Sequence, residues 1–139
     1  MTTILLIAAL HLHILWSENP AKDCFSNSEL TGACYIDSTT KTIIMGYQTP
    51  DFLLDHELGH ASGIDEDREV RKVVDKFPAI RPIDKSAYPT PELREKEKIA
   101  DWFAFYLTNE GGARDPHLFQ EDFPTIYNIF TKKVNQIVK

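Results

Sequence analysis

The chain has 139 residues, 42% of them hydrophobic and 26% charged. Those proportions belong to a water-soluble globular protein long enough to build a core without staples, so residues 1–139 are read as one domain. The formal net charge of −6 argues against a general nucleic-acid surface and suits neutral or basic protein substrates. No internal repeat and no helix-turn-helix pattern interrupts the sequence.

Residues 4–16 are apolar, yet they lack the basic flank and small-x-small cleavage site of a signal peptide and are too short to span a bilayer. Leu10, Leu12 and Ile14 alternate with His11, His13 and Leu15, a period of two that predicts a retained, structural strand. His11 and His13 share a face of that strand and are read as structural or solvent-facing. Cys24 and Cys34 bracket a polar loop; one pair of thiols does not establish an oxidising compartment, so they are expected to be reduced and the chain cytoplasmic, with secretion as the alternative. Residues 32–36 and 42–45 flank a polar stretch at 37–41 and predict a β-hairpin.

Thr49-Pro50-Asp51 then reads as a helix start: a hydroxyl N-cap, proline at the first helical position and an acid in the first turn. Leu54, Leu58 and Ala61 follow at helical spacing as a face to bury, and Gly63 offers a stop. Within this helix stands His56-Glu57-Leu58-Gly59-His60. Residues four apart lie about 40° apart around a helix axis, so both imidazoles can point at one ion, and Glu57 flanks the same face. This is the HExxH arrangement, in which two histidines bind zinc and the glutamate is the general base.

A catalytic zinc needs a third protein ligand and one open position. After an amphipathic helix over 65–77 (Val70, Val73, Val74, Phe77) and a proline-rich loop over 77–91, Thr90-Pro91-Glu92 repeats the helix-start signal. The helix predicted over 91–109 carries Glu97 and Asp101 on one face, with Ala100 and Ala104 small enough for close approach to the histidine helix. Ile99, Phe103 and Leu107 line the adjacent face. Glu97 is therefore assigned as the third ligand, and Asp101 as the acceptor for the second ring N–H of a zinc-bound imidazole, His56. His117, beside Pro116, is read as a loop residue, and residues 124–139 as a closing helix.

His56-Glu57-x-x-His60 followed by Glu97-x-x-x-Asp101 resembles the gluzincin pattern, and Glu97-x-x-Ala100-Asp101-x-Phe103-Ala104 is similar to the ImmA/IrrE family of metallo-endopeptidases in particular. The likeness covers about residues 32–108. It departs from that family after Ala104, where Phe105-Tyr106-Leu107-Thr108-Asn109 stands in place of an apolar run ending in proline.

The resemblance implies an α+β, minimal zincin-like domain: a small mixed sheet beside the HExxH helix and a second helix carrying the glutamate ligand. It also implies one Zn²⁺ per chain and a protein or peptide substrate; from charge and segment length, no membrane or nucleic-acid partner is expected. In such domains an edge strand before the HExxH helix takes up extended peptide; residues 42–47 are the candidate, with a buried structural strand as the competing reading. Some gluzincins place a tyrosine before the third ligand to stabilise the oxyanion, and Tyr88 is read either in that role or as surface packing. The function expected is zinc-dependent peptide hydrolysis with Glu57 as base; the alternative is a catalytically weak zinc-dependent binding or sensing module. Oligomeric state and cleavage specificity are not encoded in any pattern of these residues.

Overall fold

The computed structural model describes residues 2–25, 31–36, 41–111 and 116–139, the side chains of 109–111 and 116–118 excepted. In chain order the elements are α1 (Thr2–Ala9), β1 (His13–Ser17), α2 (Pro20–Asp23), β2 (Ala33–Ile36), β3 (Thr42–Gly46) and α3 (Asp51–Ala61). A 3-10 turn (Ile64–Glu66), α4 (Arg68–Val74), α5 (Pro91–Gly111), α6 (Pro116–Asp122) and α7 (Pro124–Val138) follow. The class is α+β.

The sheet is mixed and ordered β1-β3-β2. β3 runs parallel to β1, from His13↔Thr42 to Ser17↔Gly46, and antiparallel to β2, from Ala33↔Met45 to Ile36↔Thr42. The expected hairpin is therefore present, its turn at 37–40 lying outside the described residues. Of the two readings of 42–47, the edge strand is not observed and the buried structural strand is: β3 is the central strand, with Ile43, Ile44 and Met45 buried. A strand with partners on both sides has no backbone to offer a peptide, and its unbroken apolar run is what a doubly covered strand requires.

The N-terminal reading is also corrected. Residues 2–9 form a helix that buries Leu6, and the strand starts only at His13. The period of two crossed the end of this helix, where Leu10 and Leu12 donate back to the carbonyls of Leu6 and Ile7 and His11 reverses the chain at φ 55°. His11 and His13 consequently do not share a strand face. Cys24 and Cys34, expected to be reduced, are joined: the short α2 packs on β2 and β3 and brings the two Cα atoms to 6.1 Å, within disulfide range.

The core is built on α5. Ile99, Ala100, Phe103 and Ala104 are fully buried, and α7 closes over them with Ile126, Phe130 and Val134. Phe103 meets Phe130 edge to face at 5.2 Å between ring centroids. Val70 and Val74 of α4 complete this layer; Asp67 caps that helix by accepting from the Val70 N–H at 3.0 Å. The helix expected over 65–77 is thus shorter at both ends, and α6 shows that the backbone at His117 is helical where a loop was expected. Among the described residues no helix is long and apolar enough to cross a membrane.

Candidate metal centre

α3 and α5 position the site, and small residues set their separation. At Gly59 a side-chain Cβ would stand 3.0 Å from the Cα and 3.2 Å from the Cβ of Ala100, so only glycine lets the two helices cross this closely. α3 starts one residue later than the sequence suggested. Pro50 is its N-cap, and the Thr49 hydroxyl donates instead to the Gly32 carbonyl at 2.8 Å. The helix ends at Ala61, and Gly63 turns the chain at φ 78° in the left-handed region. α5 opens as expected, the Leu93 N–H donating to the Thr90 hydroxyl at 3.2 Å.

The crossing brings His56, His60 and Glu97 together, with one ligating atom from each lying within 4.8 Å of the others. The two imidazole Nε2 atoms are 3.1 Å apart. Glu97 Oε2 lies 2.8 Å from Nε2 of His56, and Oε1 lies 3.3 Å from Nε2 of His60. Tetrahedral zinc with bonds of ~2.0–2.1 Å holds its donors about 3.3 Å from one another, so the group lies close enough to hold a metal ion. Two imidazoles, which bind metal in their deprotonated form, and one carboxylate are also a donor set that suits a zinc site with a position left open.

The remaining ring nitrogens agree. Nδ1 of His56 lies 2.7 Å from Asp101 Oδ1, and Nδ1 of His60 lies 2.7 Å from Asp65 Oδ2. Each imidazole thereby has its Nδ1 committed to a buried carboxylate and its Nε2 turned toward the cluster, the arrangement that orients metal-binding histidines. Asp101 was expected here. Asp65 was not: it stands five residues beyond His60, and its place after the Gly63 turn was taken as the beginning of the next helix.

Charge follows geometry. Burial alone would push both imidazoles down, but Asp101 and Glu97 raise His56 to about 9, and Asp65 and Glu97 raise His60 to about 10. Burial acts on Glu97 in the opposite sense and is overcome by the two histidines, which hold its carboxyl well below the usual carboxylate range. Glu57 is 8% exposed. Burial raises its pKa, His60 and His56 oppose that, and the Tyr35 backbone N–H of β2 donates to the carboxylate. The carboxylates thus favour protonated imidazoles in the metal-free chain, and an ion bound at this cluster would displace those protons.

One wall comes from the proline-rich loop. Arg81, Pro82, Ile83, Asp84 and Tyr88 line a cavity of about 230 Å³ together with Glu97 and Asp101. Tyr88 is hydrogen-bonded to Glu97, and burial followed by that carboxylate pushes its hydroxyl up to about 12. Tyr88 therefore faces the ligand cluster. Arg81 donates to both oxygens of Asp101, from Nε at 3.0 Å and Nη2 at 2.7 Å. Sequence reasoning passed over Arg81, since a lone arginine in an aperiodic loop carries no signal of its partner. His11 and His13 are not part of the group whose ligating atoms converge.

Compared with protein-family models, with curated proteins and with solved structures, the chain matches none.

Proposed function

We propose that this protein is a zinc-dependent metallopeptidase with a minimal zincin-like fold, His56, His60 and Glu97 holding the ion and Glu57 acting as general base. The observation that carries the reading is the convergence of both Nε2 atoms and the Glu97 carboxylate, with both Nδ1 atoms held by carboxylates. Bound there, zinc would supply Lewis acidity, lowering the pKa of a water and polarising a scissile carbonyl.

The chain's own groups do the rest. Glu57 is on the ligand helix, next in sequence to His56, and its carboxylate is fixed by the Tyr35 N–H. It takes the proton of the attacking water and delivers it to the leaving nitrogen. Tyr88, in contact with Glu97, is placed to donate to an oxyanion developing at the scissile carbonyl. β2 is the sheet edge on the side of Glu57, so an extended peptide added to it would lie alongside the base. This gives β2 the substrate-binding role that the sequence had suggested for residues 42–47. The Cys24–Cys34 disulfide favours an oxidising compartment over the cytoplasm.

The test is Glu57→Gln, which keeps the ligands and the shape of the side chain but removes the base. Zinc content is expected to stay at one per chain while hydrolysis of an unfolded protein substrate falls by about 10²–10⁴-fold. A variant that binds zinc and cleaves as fast as wild type removes Glu57 from the mechanism. A wild-type protein that binds zinc without cleaving any peptide would leave the binding-module reading in place.

A further inference from the structure

Arg81 is the one basic side chain bonded to the buried acids of the ligand cluster among the described residues, and its geometry is unlike that of a surface ion pair. Its guanidinium presents the Nε/Nη2 edge to the Asp101 carboxylate as a two-pronged contact, at 3.0 and 2.7 Å. Asp101 is only 3% exposed at its side chain, and its Oδ1 accepts from Arg81 while lying 2.7 Å from Nδ1 of His56. The flat face of the same guanidinium lies 5.2 Å from the ring centroid of Phe52. Phe52 precedes His56 by four residues, one turn along α3. A single group thus touches both ligand-bearing helices, α5 through Asp101 and α3 through Phe52.

We propose that Arg81 is a positioning residue of the metal centre: by fixing the Asp101 carboxylate it fixes the ring of His56, and so sets how tightly and in what geometry the ion is held. This rests on the metal-centre reading above and extends it one contact outward. Three physical points support it. Asp101 and Glu97 are like charges at i, i+4, and the Arg81 guanidinium bonded to Asp101 offsets their repulsion. A carboxylate bonded to a planar fork cannot rotate, so its lone pair toward His56 keeps one direction. And the chain around Arg81 is itself tied to α5, Pro78 O accepting from Trp102 Nε1 at 2.9 Å and Tyr88 O from Arg94 Nη1 at 2.9 Å. The loop that delivers Arg81 is therefore fastened on both sides of it.

The experiment compares wild type, Arg81→Met, Arg81→Lys, Asp101→Asn and the Arg81→Met/Asp101→Asn double variant. It measures zinc dissociation constants by chelator competition, visible spectra of the cobalt-substituted proteins, and melting temperatures of the metal-free chains. Arg81→Met is expected to weaken zinc binding about tenfold and to alter the cobalt spectrum, in the range seen for groups that orient metal ligands. Arg81→Lys, a point charge without the fork, should recover affinity only in part. In the Asp101→Asn background the arginine change should cost little more, because the two residues act through one contact.

Zinc affinity and cobalt spectrum unchanged in Arg81→Met overturn the proposal, as do losses that simply add in the double variant. If Arg81→Met fails to fold, Arg81→Lys decides alone: a weakened site supports the inference, and a wild-type constant and spectrum overturn it. Failure of wild type itself to bind zinc would instead remove the metal-centre reading, so the two failures are distinct.

Discussion

The α3–α5 pair and the three-stranded sheet differ in how their sequences relate to their structures. In the helix pair the candidate ligands follow from local repeats, His56 and His60 one turn apart on α3 and Glu97 and Asp101 one turn apart on α5. In the sheet the same kind of reading pointed to strands but left open which of them lies at the edge. Residues 43–45 are consecutive apolar positions that look alike whether one neighbour or two will pair with their strand. What decides is β1, which arrives from 29 positions earlier in register with β3, His13 against Thr42. The spacing of the candidate ligands on each helix is written at short range; strand order is a long-range fact.

That comparison can be broken. If the sheet is scaffold and the helices are site, damage to each should appear in different measurements. Ile43→Ala, at a fully buried position of the central strand, is expected to cost about 2–5 kcal/mol in denaturant unfolding while the folded fraction binds zinc as wild type does. Loss of zinc affinity in protein that is still folded would mean the sheet shapes the ligand cluster after all.

Asp55 sharpens the comparison from the helical side, since it is a cost carried by α3 itself. Its carboxyl is buried against α1 and α5, accepting from the Thr3 hydroxyl at 2.8 Å and from Thr108 at 3.5 Å. Burial, together with Asp51 and against the Thr3 and Thr108 hydrogen bonds, raises its pKa to about 6. The folded state then binds the proton more tightly than the unfolded state, so on this account stability is greatest below pH 4 and falls as pH rises through 6. Asp55→Asn keeps both partners and removes the charge. It is expected to be more stable than wild type at pH 7.5, by on the order of 3 kcal/mol, with the advantage vanishing near pH 4. Unfolding curves at the two pH values check this, and a gain that does not depend on pH would refute it.

The smallest effect is the most local. Asp65→Asn leaves a hydrogen-bonding group beside His60 but removes the carboxylate that holds its Nδ1. Zinc affinity should fall by about 10–100-fold with little change in metal-free stability, read by chelator competition and thermal melting. An unchanged zinc constant would reduce Asp65 to an ordinary buried acid.

What was legible in the chain is what short-range physics dictates. Periodicity and capping placed α3, α5 and α7. The HExxH spacing put two imidazoles on one face, and the i, i+4 acids of α5 named Glu97 and Asp101. The N-terminal segment shows the limit, because an apolar stretch with a turn inside it mimics the alternation of a strand.

Tertiary structure decided the rest, and for one reason: the partners are separated in sequence by stretches with no period linking them. It set β3 in the middle of the sheet, brought Cys24 to Cys34, and turned Asp65 back onto His60 once Gly63 had reversed the chain. It also laid an aperiodic loop across α5 so that Arg81 meets Asp101 and Tyr88 meets Glu97. The sequence by itself determined which residues can hold an ion; packing determined what holds those residues.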